Sequence, residues 1–358
     1  MTVNQNITDG LIKHQTHFAR LSKSEAKKAL RIFKKYNIKF LGELKGIKSA
    51  KKKSDIKKLL KEIRTIDEDL FQELLEYSNE RLSAVYAEEI AFISALHQKA
   101  LKKEFPKTTF EFQTPREKNF YEDEVMIGEH AKIIGGKLVV DGVTFSSMLL
   151  ALQDSTYKKL EQKINYAFSS GEGYAYLEQE LGETPEEFIQ STQKQYSNIF
   201  VAALLAVEDE ANNDFQQENK NAFPFGYYVA VLDNKTTPVC MSLHGNRYPI
   251  NEGPRPPQHY NCRSQFIMEV DLDDELGHLY PYNIIKEKMG HVKVYKDFDE
   301  FLRQQPTSFL EEILGFNRAR LYKENKLPIK SYIDINDNRF YTLEEMNKKN
   351  KKIFEELQ

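Results

Sequence analysis

From Leu21 to Leu101 the apolar residues recur at helical spacing, as in Leu30, Phe33, Ile38 and Leu41, then Ile56, Leu59, Leu60 and Ile63. A period near 3.6 gathers such residues on one face, so the region is read as amphipathic helices. The densest stripe, Leu74, Tyr77, Leu82, Val85, Ile90 and Ile93, predicts one long helix over Leu70 to Leu101. Ser24 and Asp67 are candidate helix starts, because their side-chain oxygens can accept free backbone N–H groups. The basic run from Lys48 to Lys53 is the predicted linker. After Phe105-Pro106 the period changes. Thr108 to Phe112 alternates at period two, and the stretch from Ile133 to Phe145 sets Gly135-Gly136 and Asp141-Gly142 between short β-branched runs, as hairpin turns would. Helices resume from Ser146 to Phe168, end near Gly171-Glu-Gly173, restart at Thr184-Pro185 and run through Phe188 to about Glu218. Tyr227 to Leu232 is predicted to be a buried strand, and the Pro- and Gly-rich stretch from Asn251 to Asn261 to be irregular.

The fold class expected is α+β and predominantly helical, in three parts: a basic helical arm over 1–107, separable from the rest; a core domain over 108–270, with a small β element and a proline-rich loop; and a short α/β extension over 271–358.

Composition narrows the function classes. With 358 residues, 40% hydrophobic and 29% charged, the chain can bury a real core without disulfides or metals. No apolar run approaches the roughly 18 residues of a membrane span, and the first residues lack a signal-peptide pattern, so no membrane partner and a cytoplasmic origin are expected. The net charge of −3 hides an asymmetry: between Lys13 and Arg64 stand eighteen Lys and Arg against four Asp and Glu. That segment should favour anions, and non-specific contact with double-stranded DNA is one expectation for it. Its apolar residues at helical spacing also suit amphipathic helices packed on a protein partner. No metalloprotease, phosphate-loop, dinucleotide-binding or serine-hydrolase motif occurs. The two Glu-x-Glu triplets, Glu122-Asp-Glu124 and Glu178-Gln-Glu180, are what chance yields in so charged a chain, so no enzyme is expected.

The densest chemistry lies between Val231 and Ser264. Cys240 and His244 are separated by three residues, and His259 and Cys262 by two, so each pair can sit on one turn. Together they would make a Cys2His2 set suited to a structural zinc ion, stapling the ends of a proline-rich loop. Two other readings stand beside it: a metal-free loop held by hydrogen bonds, and a disulfide, which a reducing compartment disfavours.

The order Leu232-Asp233-x-Lys-Thr236-x-x-x-Cys240-x-x-Leu243-x-Gly245, then Pro256-Pro257-x-His259-x-x-Cys262-Arg263, resembles the signature of the phage Mu protein F-like head morphogenesis family. The resemblance extends over roughly 140 to 350. It takes in Gly142-Val-Thr-Phe-Ser146 before a helix, the stretch from Asp297 to Pro306, Glu311 to Gly315, Arg318 to Leu321, and Tyr341 to Met346. It implies a minor head protein associated with the portal and the capsid or procapsid, in the virion's head interior or portal region, and in the host cytoplasm during assembly. Many relatives carry further cysteines at the positions of Thr237 and Ser264 and an Asp where this chain has His244. The zinc role of His244 is therefore inferred from its spacing, not implied by the family. Asp233, Thr236, Gly245, Pro257 and Arg263 are read as structural, with Asp233 and Thr236 accepting loop N–H groups and Arg263 forking onto Asp233. A phage-encoded metal-dependent enzyme or toxin-like effector, and a non-specific DNA-binding protein, are the competing functions.

Overall fold

The computed structural model describes residues 1–46, 50–134, 137–169, 185–272, 276, 278–279, 282–290, 297–325 and 327–349. Two long helices open the chain, α1 (Val3–Lys45) and α2 (Lys53–Glu104). Thr2 caps α1 by accepting the Gln5 N–H, and Asp55 accepts the N–H groups of Lys51 and Lys52 at the start of α2. Proline first occurs at position 106, just past α2, so nothing interrupts either helix. Ser24 and Asp67, expected as starts, lie inside α1 and α2. Asp67 is buried there, because its turn faces another helix rather than solvent. The gap between the helices matches the predicted linker, of which 47–49 lie outside the described residues.

These helices pack with α3 (Phe145–Ser169) and α4 (Pro185–Glu218) around one core that runs from Val3 to Met289. Tyr196 of α4 is fully buried, edge-on to Phe33 of α1 and hydrogen-bonded to Ser78 of α2 at 2.8 Å. A smaller cluster joins Leu44, Ile56, Leu60 and Ile63 to Ile164 and Phe188. The first residues are tied to the far side of the fold. Asn4 accepts the Val270 N–H at 2.9 Å and donates to the carbonyls of Val270 and Gly290, at 3.2 and 2.6 Å. The helices to residue 104 are thus not the separable arm expected from the change of period. Periodicity reports which face is buried but not what buries it.

The hairpin of β1 (Met126–Ile134) and β2 (Lys137–Thr144) closes with Ile134 opposite Lys137. The predicted Gly135-Gly136 turn lies outside the described residues. Asp141-Gly142 is not a turn; it sits within β2, where Gly142 faces Gly128 so closely that a Cβ on Gly142 would meet the Ile127 carbonyl oxygen at 2.3 Å. Thr108 to Phe112 alternates as predicted, Phe110 and Phe112 packing on the core, yet pairs with no strand among the described residues. Its neighbour Gln113 is held by the Asn219 side chain, which accepts from the Gln113 N–H and donates to its carbonyl.

A second sheet has the order β4-β3-β6, with β3 (Phe225–Val229) between β4 (Arg247–Pro249) and β6 (Gln265–Glu269), all antiparallel. The predicted strand over 227–232 is therefore shifted toward the N-terminus. Its last residues leave the sheet toward the short helix α5 (Pro238–Leu243). The two-residue strand β5 (Gly253–Pro254) pairs with β1. After α6 (Tyr282–Met289) come α7 (Phe298–Arg303), α8 (Thr307–Leu314), α9 (Phe316–Asn325), the two-stranded pair β7 (Ile333–Asp334) and β8 (Arg339–Phe340), and α10 (Leu343–Lys349). Their core includes Phe298, Leu302, Leu310, Leu314, Tyr332 and Met346, and meets the second sheet's loop through Met241. The predominantly helical α+β class is as the hydrophobic pattern predicts.

Candidate metal centre

The loop between β3 and β6 carries the chemistry, and its two halves are fixed differently. In the first half Asp233 accepts the Lys235 N–H at 2.9 Å, and Arg263 forks onto its two carboxylate oxygens at 2.7 and 2.8 Å. Burial opposes ionisation of Asp233, but the Arg263 guanidinium and the Lys235 N–H hold its carboxyl below the usual range. The single Thr236 O–H is shared between the Val231 carbonyl and Asp233 rather than the hydroxyl accepting an N–H. Proline at the first turn of α5 then sets the helix that carries Cys240. Gly245, at φ 79°, turns the chain back so that its N–H reaches the Tyr228 carbonyl at 2.9 Å.

The proline-rich half is anchored by Arg255, which sequence reasoning passed over. Only 2% exposed, it donates to the carbonyls of Pro249, Ile250, Glu252 and Pro254. Burial without a carboxylate partner lowers its pKa to about 10. Gln258, also buried, donates to the carbonyls of Ala131 and Arg255. The β1 bulge, with His130 at φ 54°, presents Ala131, whose N–H meets the Pro257 carbonyl at 3.0 Å and whose carbonyl accepts the Arg255 N–H at 2.8 Å. The Pro256-Pro257 peptide is cis. The proline-rich half is therefore held by hydrogen bonds among its own residues and to the β1 bulge.

Cys240, His259 and Cys262 converge, with one donor atom of each within 4.8 Å of the others. The two sulfurs are 3.7 Å apart. A tetrahedral zinc ion with Zn–S bonds near 2.3 Å would set them about 3.8 Å apart, so the pair fits that geometry as well as a thiol–thiolate hydrogen bond. His259 donates from Nδ1 to the Tyr260 carbonyl at 2.9 Å, which turns its other ring nitrogen to the cysteines, where its side chain hydrogen-bonds Cys262. Tyr228, buried on β3, places its hydroxyl 3.2 Å from the Cys240 sulfur and 3.8 Å from that of Cys262. Burial raises the Cys240 thiol, but hydrogen bonds from Cys262, Ser264, Tyr228 and Thr237 outweigh it and bring it down to about 7. Burial and the Cys240 sulfur push Cys262 up to about 12, the opposite direction from its partner.

His244 is not part of this group. It is buried behind α5, where Nδ1 accepts the Ala230 N–H at 3.0 Å and the ring packs edge-on to Phe298. Its spacing from Cys240 was right for one turn, but α5 ends at Leu243 and the chain leaves the helix at His244 in an extended conformation, sending the ring into the C-terminal cluster. Three protein donors converge among the described residues, not four. Cys240 and His259 line a cleft of about 220 Å³ that also exposes Thr237, Ser264 and Lys235. The hydroxyls of Thr237 and Ser264 thus stand beside Cys240, at the two positions where relatives of the resembled family place cysteines.

A mainly helical α+β protein with a small antiparallel sheet bearing a Cys2His cluster is the class that this fold and site define. Residues 158–267 match the family described as Phage Mu protein F like protein. The matched segment runs from within α3 through the whole loop to β6. The C-terminal stretches that resemble the family lie beyond it. No curated protein and no solved structure matches the chain.

Proposed function

We propose that this chain is a phage minor head protein that acts in head morphogenesis, bound to the portal and procapsid and carried in the head interior or portal region of the virion. The observation that carries this reading is the family match over 158–267, which spans the loop from Asp233 to Arg263. The role proposed is structural, and the Cys240–His259–Cys262 cluster is read as a zinc staple completed by a hydroxyl or water at its fourth position. Co-expression with the portal and major capsid proteins of the same phage tests the assembly role. A few copies per procapsid, lost when the portal is omitted, are expected; incorporation at hundreds of copies, or none, overturns it.

A second role, contact with packaged DNA, is supported by a groove of about 620 Å³ between α1 and α4. Lys23, Lys27, Lys194 and Lys235 line it together with Arg263, which is already paired with Asp233, and among the described residues no carboxylate does. Elsewhere in the basic segment several cations are already paired, as in Lys28 with Glu25, Lys35 with Glu73 and Arg64 with Glu68. The phosphate-binding surface is accordingly proposed to be this groove rather than the whole stretch from Lys13 to Arg64.

A further inference from the structure

Deep in the helical core, away from the cysteines, three titratable side chains from three helices meet. His14 of α1, Glu89 of α2 and Glu208 of α4 each bring one donor atom within 4.8 Å of the others. Glu89 and Glu208 are 4% and 6% exposed. The His14 Nε2 lies 3.0 and 2.8 Å from the two Glu89 oxygens, and its ring stacks on Phe92 at 3.7 Å, which fixes its direction.

A histidine–carboxylate hydrogen bond explains the first two residues but not the third. Two carboxylates buried side by side carry two negative charges, and one imidazolium can balance only one. Among the described residues no Lys or Arg forms an ion pair with either glutamate. The adjacent Asp209, also buried on α4, adds to the negative potential. Such a charge is removed either by a proton held on Glu208 or by a bound cation.

Gln265, at the start of β6, separates these two solutions. Its Nε2 donates to Glu208 at 2.8 Å, as second-sphere amides do to ligating carboxylates. The same amide carries an Oε1 that is buried and has no hydrogen-bond partner, in a side chain only 6% exposed. A proton on Glu208 reaches that oxygen only if the amide turns over, which takes Nε2 off Glu208, whereas a cation that takes the oxygen as a ligand leaves the Nε2 bond in place. The 2.8–3.0 Å separations between the His14 and Glu89 donors also suit an octahedral ion, whose ligands at about 2.1 Å lie about 3.0 Å apart.

The geometry points to a second metal site, in which His14, Glu89, Glu208 and the Gln265 amide oxygen hold one divalent first-row cation and clip α1, α2 and α4 together. One imidazole and otherwise oxygen donors favour Mn²⁺, Fe²⁺ or Zn²⁺, whereas the thiolates of Cys240 and Cys262 disfavour Mn²⁺. Mn²⁺ is therefore the probe that tells the two sites apart.

The test is titration of chelator-stripped full-length protein with Mn²⁺, followed by loss of the free-ion spin-resonance signal. One bound Mn²⁺ per chain with hyperfine coupling to a histidine nitrogen is expected. Affinity should fall at least about tenfold in Glu208→Gln, which keeps the shape and the Gln265 contact, and should survive Cys262→Ser. The nitrogen coupling should vanish in His14→Ala. Absence of bound Mn²⁺ in the wild type, unchanged affinity in Glu208→Gln, or coupling that persists in His14→Ala overturns the proposal. If either core variant fails to fold, the wild type decides: no nitrogen-coupled ion sinks the site, and one that is retained in Cys262→Ser supports it.

Discussion

The guanidinium of Arg255 stands 3.5 Å from the centre of the Phe266 ring while its nitrogens reach four backbone carbonyls of the loop before it. A planar cation with donors in a fixed fork can do both at once; an ammonium cannot. Arg255→Lys is expected to cost about 2–4 kcal/mol in urea unfolding, because carbonyls are left unpaired in a buried place. Hydrogen exchange over 249–258 should accelerate with it. A change under about 0.5 kcal/mol would remove Arg255 as the anchor of the loop.

Zinc occupancy follows from the sulfur geometry. Protein expressed in cytoplasm should contain zinc that is lost in Cys240→Ser and in Cys262→Ser, and chelation should lower the unfolding temperature of the wild type by more than that of either variant. His244→Ala should leave zinc content unchanged while destabilising the C-terminal cluster, since His244 packs on Phe298. Less than about 0.2 zinc attributable to the cysteines per chain leaves only the hydrogen-bonded thiol pair.

Asp67 supplies a pH dependence. Burial against Phe33, Leu70, Phe71 and Phe188 raises its carboxyl to about 7, from an ordinary value of 3.8. Between these values the folded chain holds a proton that the unfolded chain has released. This group's contribution to stability is therefore full below about pH 4, declines as pH rises toward 7, and levels off above that. Asp67→Asn is expected to flatten that decline and to stabilise the protein at pH 8 by about 2–4 kcal/mol. Equal unfolding free energies for variant and wild type at pH 8 would show that Asp67 ionises without cost.

For DNA, Lys23→Glu combined with Lys27→Glu and Lys194→Glu should weaken binding to a random duplex by at least about tenfold at low salt and flatten its salt dependence by up to three ions. The same number of reversals at Lys57, Lys58 and Lys61, on the first turns of α2, should have a smaller effect. Equal losses from both triplets would return the contact to bulk charge.

Much of this was legible in the chain. The stripe from Leu74 to Ile93 falls within one helix, and His259 and Cys262 share one turn, because short-range geometry is encoded directly; Cys240 reaches them only through the pairing of β3 with β6. Ser24 and Asp67 misled because a capping side chain and a buried polar one look alike until the neighbouring helix is known. His244 misled because one residue past the end of α5 its direction is set by Phe298, which is 54 positions away in the chain. Arg255, flanked by prolines, reads as a solvent-exposed loop cation, and its burial depends on Phe266 and on carbonyls brought round by the sheet. His14, Glu89 and Glu208 carry no local motif at all; only the packing of three helices assembles them.

The hydrogen bonds between Asn4 and Val270 also fix a sequence of events in time. The first helix to leave the ribosome cannot complete its packing until a residue 266 positions later has been made. At translation rates of about 5–20 residues per second, its first turn waits roughly 15 to 50 seconds for Val270, while the rest of its apolar face can already pack on α2. The N-terminal turn is thus among the first parts made and among the last to be locked, and slower elongation near the 3′ end of the message should cost soluble yield more than the same slowing at its start.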